Sequence, residues 1–256
     1  MKPEEIIAHI QAAARSFNAE LLTKSYAETH SDSAQLRGLL SFLSPSRDER
    51  SFLDLGTGNG YVAMALAVEC PTCCVIGLDI AEEAIEQDVV NAKQQGLTNI
   101  EFRVFDGVTL PFADSYFDGA LCRYALHHFP QPEATLGELA RTLRPGGKLV
   151  LADPIRSEDD VTDFINTFQD FKRDGHACIY RFRDFVVLVG RHGFELIDWF
   201  ESSISFGRAR NREYDELLAS TPTPVREAYD VRVDGEGIHM TFRILNTVFL
   251  NRKKRP

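Results

Sequence analysis

The densest chemistry in the sequence is a glycine-rich turn with an acid before it, Asp54-Leu55-Gly56-Thr57-Gly58-Asn59-Gly60. It follows a strand-like run and opens a helix-like one. Glycines there let the chain reverse sharply at the carboxyl end of a strand and let a ligand touch the backbone. Dinucleotide sites use a related turn, G-x-G-x-x-G, which would place its third glycine at position 61. The residue there is Tyr61. The spacing therefore suits a ligand without a pyrophosphate, which has less use for the amides of the following helix. Asp79 ends Val75-Ile76-Gly77-Leu78-Asp79, with Ile80 beside it, and its carboxylate can accept from both hydroxyls of a ribose. Asp106, with Gly107 beside it, closes Phe102-Arg103-Val104-Phe105 and supplies an acceptor for an adenine amino group. A carboxylate at a strand end is also an ordinary turn residue, and for Asp79 it is the coupling to the glycine turn that favours the ligand reading.

These residues need a sheet to hold them. Ser51 to Leu55, Cys74 to Asp79, Ile100 to Phe105, Phe117 to Cys122 and Lys148 to Ala152 read as strands. Gly60 to Glu69, Ala81 to Gln95 (stopped by Gly96) and Pro132 to Leu143 read as helices between them. Such alternation implies a parallel sheet with helices on both faces. Upstream, Leu36, Leu39, Leu40 and Leu43 form one apolar helix stripe, after a helical but weakly patterned first thirty residues. Downstream, Asp160 to Phe171 and Phe182 to Arg191 read as helices, Phe194 to Phe200 as a sixth strand and Met240 to Asn251 as the last. An insertion runs from Gly207 to Gly237. One domain over 1–256 is expected: an N-terminal helical segment (1–45), a core (46–155), and lid helices with the last two strands (156–256).

The chain has 256 residues, 44% of them hydrophobic, and a formal charge of −10. That charge repels phosphate backbones, so long nucleic acid is disfavoured unless the basic run Arg252-Lys253-Lys254-Arg255 overrides it locally; a solvated tail explains the same run. No apolar run is long enough for a membrane span and the start lacks signal-peptide character, so a cytoplasmic protein is expected. Five unevenly spaced cysteines suit reduced thiols. Cys70, Cys73 and Cys74 lack the further ligands of a closed zinc site, and no metal is expected.

The glycine turn, Asp79, Asp106, Leu110-Pro111-Phe112-Ala113-Asp114-Ser115-Tyr116-Phe117-Asp118 and Leu143-Arg144-Pro145-Gly146-Gly147-Lys148-Leu149 occur in this order. Over roughly Leu36 to Asp153 the sequence resembles the class I S-adenosylmethionine-dependent methyltransferases of the ubiquinone/menaquinone-biosynthesis type (methyltransferase type 11 domain). The resemblance implies a Rossmann-like α/β fold, with a seven-stranded, mostly parallel sheet, an antiparallel last strand and a helical lid insertion. It also implies S-adenosylmethionine as cofactor and S-adenosylhomocysteine as product. The cofactor would be held by Asp54, Gly56, Thr57, Gly58 and Gly60, with Asp79 and Ile80 on the ribose and Asp106 and Gly107 near the adenine. Cys122, Arg123 and Tyr124 would line the methionine end.

Methyl transfer is an in-line displacement from an activated donor, so few catalytic residues are obligatory. His127 and His128, just beyond the fourth strand, are candidates for a general base; capping and packing explain the same run. His176 and Arg181, in the lid interval, can meet an anionic or phenolic acceptor, and Tyr26 and His30 can close over the cofactor; a solvated loop is the alternative for the lid residues. The expected function is methyl transfer to a small molecule. An RNA or protein methyltransferase, or a non-catalytic cofactor-binding regulator, remains open. A homodimer is compatible with the sequence.

Overall fold

The computed structural model describes residues 2–21, 30–45, 50–235 and 237–253. Two helices, α1 (Pro3–Leu21) and α2 (Ser33–Leu43), precede a sheet whose parallel part is β1 (Ser51–Leu55), β2 (Cys74–Asp79), β3 (Ile100–Val104), β4 (Phe117–Arg123) and β5 (Leu143–Pro154). Between these strands lie α3 (Tyr61–Glu69), α4 (Glu82–Gln94) and α5 (Pro132–Thr142). Then follow α6 (Phe164–Asp170), α7 (Phe182–Gly190), β6 (Phe194–Arg208), α8 (Arg212–Ser220), α9 (Thr223–Ala228), β7 (Arg232–Val233) and β8 (Ile238–Asn251).

The strand order is β3-β2-β1-β4-β5-β8-β6, with β7 pairing β8. β1 to β5 pair in parallel, and β8 runs antiparallel to both β5 and β6. The order reverses between β1 and β4, and in open α/β sheets that switch point leaves a crevice at the strands' carboxyl ends. Side chains alternate across the sheet with a period of two. Phe52 packs on one face with Leu39 and Leu43 of α2, while Leu53 and Leu55 pack on the other with Leu136 and Leu139 of α5. Burial on both faces explains why the central strands are apolar throughout.

Among the described residues the sheet has eight strands, where seven are legible in the sequence. The additional one, β7, is two residues long and lies inside the expected insertion, together with α8 and α9. β5 starts at Leu143 because Leu143-Arg144-Pro145-Gly146-Gly147 stays extended. The register shifts between the Phe117 and Gly119 pairs, and Gly146 takes φ +80°, a bulge that reads in sequence as a turn. β6 runs to Arg208, eight residues beyond the apparent end at Phe200, because backbone pairing with β8 sustains Ser202, Ser203, Ser205 and Gly207 against their weak strand propensity.

The expectation of five reduced thiols is corrected at one place. Cys70 and Cys73 are joined by a disulfide, since the turn after α3, with Cys73 N–H donating to the Cys70 carbonyl at 3.0 Å, brings their Cα atoms to 5.4 Å. Cys74, Cys122 and Cys178 are free thiols. Among the described residues no helix is long and apolar enough to cross a membrane, and no group of three or more His, Cys, Asp or Glu side chains is placed to hold a metal.

Candidate functional site

The glycine turn stands at the carboxyl ends of β1 and β4. Gly56 adopts φ +71°, and a Cβ there would come within 2.4 Å of the Ala125 Cβ, so neither the backbone nor the space admits a side chain. Gly60, at φ +69°, caps α3, where a Cβ would meet Met64 and Asp88. It fixes the helix to the turn rather than lining a cavity.

Asp54 is buried beneath the turn. Its Oδ2 accepts from Thr57 Oγ1 at 2.8 Å and from Ala63 N at 3.1 Å, and burial pushes its carboxyl up to about 6. Asp79, whose pKa is also raised by burial, accepts from Gly58 N at 2.9 Å and Ala81 N at 3.0 Å. A third carboxyl stands behind them. Asp88 in α4 is 1% exposed, its Oδ2 lacks a hydrogen-bond partner among the described residues, and burial followed by the charges of Asp79 and Asp54 pushes it up to about 8.

Over the turn lies a cavity of about 70 Å³ whose walls include Gly56, Gly58, Asp79, Ile80, Phe105, Arg123 and Tyr124, with Phe17 and Leu21 of α1 as its cover. A smaller recess beside Asp54, Thr57 and Asn59 shares Gly56, Gly58, Arg123 and Tyr124 with it. Glycine backbone at positive φ, a carboxylate at the end of β2 and an apolar wall of Ile80, Phe105 and Phe129 are the features that a ribose and a flat base require, so these residues fit an adenosine-bearing cofactor.

The expected cofactor residues divide three ways. Asp54, Gly56, Thr57, Gly58, Asp79, Ile80, Arg123 and Tyr124 meet at the two recesses. Asp106 lines neither recess, its Oδ1 accepting from Val108 N and Thr109 N at 2.8 Å each, and Gly107 packs under Ile10 of α1. Cys122 is buried within β4, behind the cavity walls, and burial raises its thiol pKa.

Arg123 and Tyr124 are set by a residue the sequence reading missed. Gln35, on α2 and 1% exposed, accepts through Oε1 from Arg123 Nε at 2.8 Å and from the Tyr124 hydroxyl at 3.1 Å, while its Nε2 donates to Asn246 Oδ1 at 2.8 Å. Arg123 also donates to the His30 carbonyl at 2.6 Å and stacks over the Tyr124 ring. Tyr124 takes φ +56°, a conformation uncommon for a bulky residue. The only sequence trace of Gln35 is a polar residue flanking the leucine stripe.

A second cavity, of about 320 Å³, adjoins the first and shares Phe17, Tyr124 and His128 with it. His127 and His128, on a single 3-10 turn (Leu126–His128), line this second cavity. His127 Nδ1 lies 2.8 Å from Asp153 Oδ1, at the end of β5, while Nε2 has no protein partner among the described residues. Burial pushes the His127 imidazole down to about 4 and the Asp153 carboxyl well above the usual range, so neither group favours its charged form. His128 is pushed down to about 3, by burial and then by His127, and its ring meets Phe17 edge-on at 4.9 Å. Asp153 carries one faint sequence trace, an acid closing an otherwise apolar strand.

The expected acceptor residues lie apart. His176 stands behind the pair, its Nε2 on Asn166 Oδ1 at 2.9 Å and its ring 6.0 Å from that of His127; burial pushes it down to about 4. Arg181 donates to the Asp160 carbonyl at 2.9 Å, away from the cavity walls. Tyr26 lies outside the described residues, whereas His30 lines the larger cavity.

A family model described as a methyltransferase domain matches residues 46–213. The chain belongs to that family, the class I methyltransferases. It is 34% identical over 141 residues to the uncharacterized methyltransferase YcgJ of Bacillus subtilis, covering 55% of each chain. To the demethylmenaquinone methyltransferase of Thermus thermophilus it is 34% identical over 111 residues, 43% of this chain and 50% of that one. The chain thus spans about half the length of the curated relatives it matches. In fold it is similar to a putative methyltransferase from Bacillus halodurans, with a TM-score of 0.75 at 24% identity, over 86% of this chain and all of that one.

Proposed function

We propose that this chain transfers a methyl group from S-adenosylmethionine to a small molecule held in the 320 Å³ cavity, with His127 accepting the proton the acceptor gives up. The observation carrying this reading is the junction of the two cavities at Phe17, Tyr124 and His128, which sets an acceptor next to the cofactor recess. When bound, the cofactor supplies a methyl group already activated by its sulfonium. Asp79 and the Gly56–Gly58 backbone bind the nucleoside, and Asp54 holds the turn through Thr57 and Ala63. Arg123 and Tyr124 form the partition between the recesses. With Nδ1 tied to Asp153, Nε2 is the His127 nitrogen left for the acceptor proton. Its competent form is the pair with Asp153 ionised and Nε2 unprotonated. A cavity bounded by α1, the segment after α6 and the last strands favours a small acceptor over a polymer.

Calorimetry with S-adenosylmethionine and S-adenosylhomocysteine tests the cofactor half, and both are expected to bind while a nicotinamide dinucleotide does not. Labelled cofactor offered to a panel of quinols, phenols and small amines tests the acceptor half. Transfer to RNA or protein, and to none of the panel, would overturn it.

A further inference from the structure

Beyond Pro154, where β5 ends opposite Ile244, β6 and β8 continue as an overhang, pairing Ser203 with Arg243 through to Arg208 with Ile238, where the short β7 joins β8 at His239 and Ile238. One face of this overhang forms a wall of the 320 Å³ cavity. On β6, Ile204, Phe206 and Arg208 fall on it at a period of two, and on β8, Phe242 and Ile244 do the same. The Phe206 and Phe242 rings meet edge to face at 4.6 Å. Leu245 lies opposite Asp153 and Ile238 opposite Arg208, seven residues along β8, or ~23 Å at ~3.3 Å per residue. The Arg208 guanidinium folds back, its carbon 4.6 Å from the Phe206 centroid, so the cation stands inside that span, on the same cavity wall as Phe206 and Phe242 and separated from His127 by them along the strands.

The two cations on the cavity wall are in different states. Lys172 is held between Glu20 and Asp174 at 2.8 Å each, which cancels its charge inside the protein. Arg208 has no carboxylate within 4 Å among the described residues. Its hydrogen-bond partner is uncharged, the Gly207 carbonyl at 3.4 Å, and its buried Nε has none among the described residues. Arg208 is half-buried, so its guanidinium still meets water, but without a counter-ion its planar fork is left to match a carboxylate entering the cavity.

We propose that the acceptor is an elongated, flat molecule bearing a carboxylate, which Arg208 binds while Phe206 and Phe242 hold the body and the atom to be methylated lies at His127. This rests on the methyltransferase reading above and narrows its acceptor class.

The test titrates the full chain, with and without S-adenosylhomocysteine, with a hydroxybiphenyl carboxylate, its carboxamide and its phosphonate. The carboxylate is expected to bind about 10- to 100-fold more tightly than the carboxamide, as for a charge-assisted pair. Arg208→Met should abolish that preference and Arg208→Lys should reduce it, with thermal melting to verify folding. If Arg208→Met does not fold, the wild-type comparison and Arg208→Lys decide. Equal binding of carboxylate and carboxamide, a preference that survives the loss of Arg208, or a preference for the phosphonate overturns the proposal. S-adenosylhomocysteine binding is read separately: its absence defeats the methyltransferase reading, whereas normal product binding beside an indifferent carboxylate series defeats this proposal alone.

Discussion

His127 and Asp153 are 26 residues apart in sequence and 2.8 Å apart in space, and their burial makes the pair's proton the variable that matters. If Nε2 takes the acceptor proton, His127→Asn should slow transfer by about 10²- to 10⁴-fold and leave S-adenosylhomocysteine affinity unchanged. Because burial raises the Asp153 carboxyl, the wild-type rate should climb with pH until the pair has lost its shared proton, and Asp153→Asn should flatten that climb. Single-turnover kinetics over a pH series gives both answers; an unaltered profile in Asp153→Asn speaks against the dyad. Asp88 carries a different pH signature. Its folded pKa, about 8, lies above its unfolded value, so its contribution to stability is complete below the unfolded pKa and lost as pH rises through about 8. Asp88→Asn should therefore gain stability relative to wild type progressively from about pH 4 to pH 8. A melting-temperature difference that stays constant across that window refutes the assignment.

At the scale of elements, α2 and α1 reach the site by different means. α2 is fixed by Leu39, Leu40 and Leu43 in the core, and that anchoring presents Gln35 to Arg123 and Tyr124. Gln35→Met leaves both donors without their acceptor, at a cost of about 1–3 kcal/mol in urea unfolding. Cofactor affinity should fall with it, since the partition loses its brace; unchanged affinity places Gln35 in a purely structural role. α1 buries only Ile6, Ala13 and Leu21, yet Phe17 and Leu21 cover the cofactor recess. Few apolar contacts mean a low opening free energy, and a 70 Å³ recess under such a cover needs the helix to lift for an adenosine-sized ligand. Hydrogen exchange across α1 should accordingly slow when S-adenosylhomocysteine is added.

For the molecule as a whole, stability rests on two apolar layers astride one sheet. Phe52 is 1% exposed, and a Cβ on Gly119 would lie 2.9 Å from its ring and 3.1 Å from Leu43, so the ring fills a space that neighbouring residues cannot enter. Phe52→Ala should cost about 3–5 kcal/mol by chemical denaturation, a large share of the roughly 5–15 kcal/mol that a domain possesses. A loss below ~1 kcal/mol would mean that the core collapses around the cavity. The formal charge of −10 sets the outer field and disfavours polyanions over most of the surface.

Local physics made part of this protein legible from sequence. Strand and helix periodicity, the Gly56–Gly60 turn and carboxylates at strand ends are short-range patterns; they define the α/β alternation and point to Asp54, Gly56, Thr57, Gly58 and Asp79, which line the two recesses. The acceptor side depends on pairs that only the tertiary structure joins. β6 reads as ending at Phe200 because serines and a glycine are poor strand formers in isolation; pairing with β8 carries it on to Phe206 and Arg208. Gln35 and Asp153 look like incidental polar residues until burial makes their hydrogen bonds obligatory. A polar side chain's role follows from what desolvates it, and that is decided by residues up to 211 positions away, such as Asn246 beside Gln35.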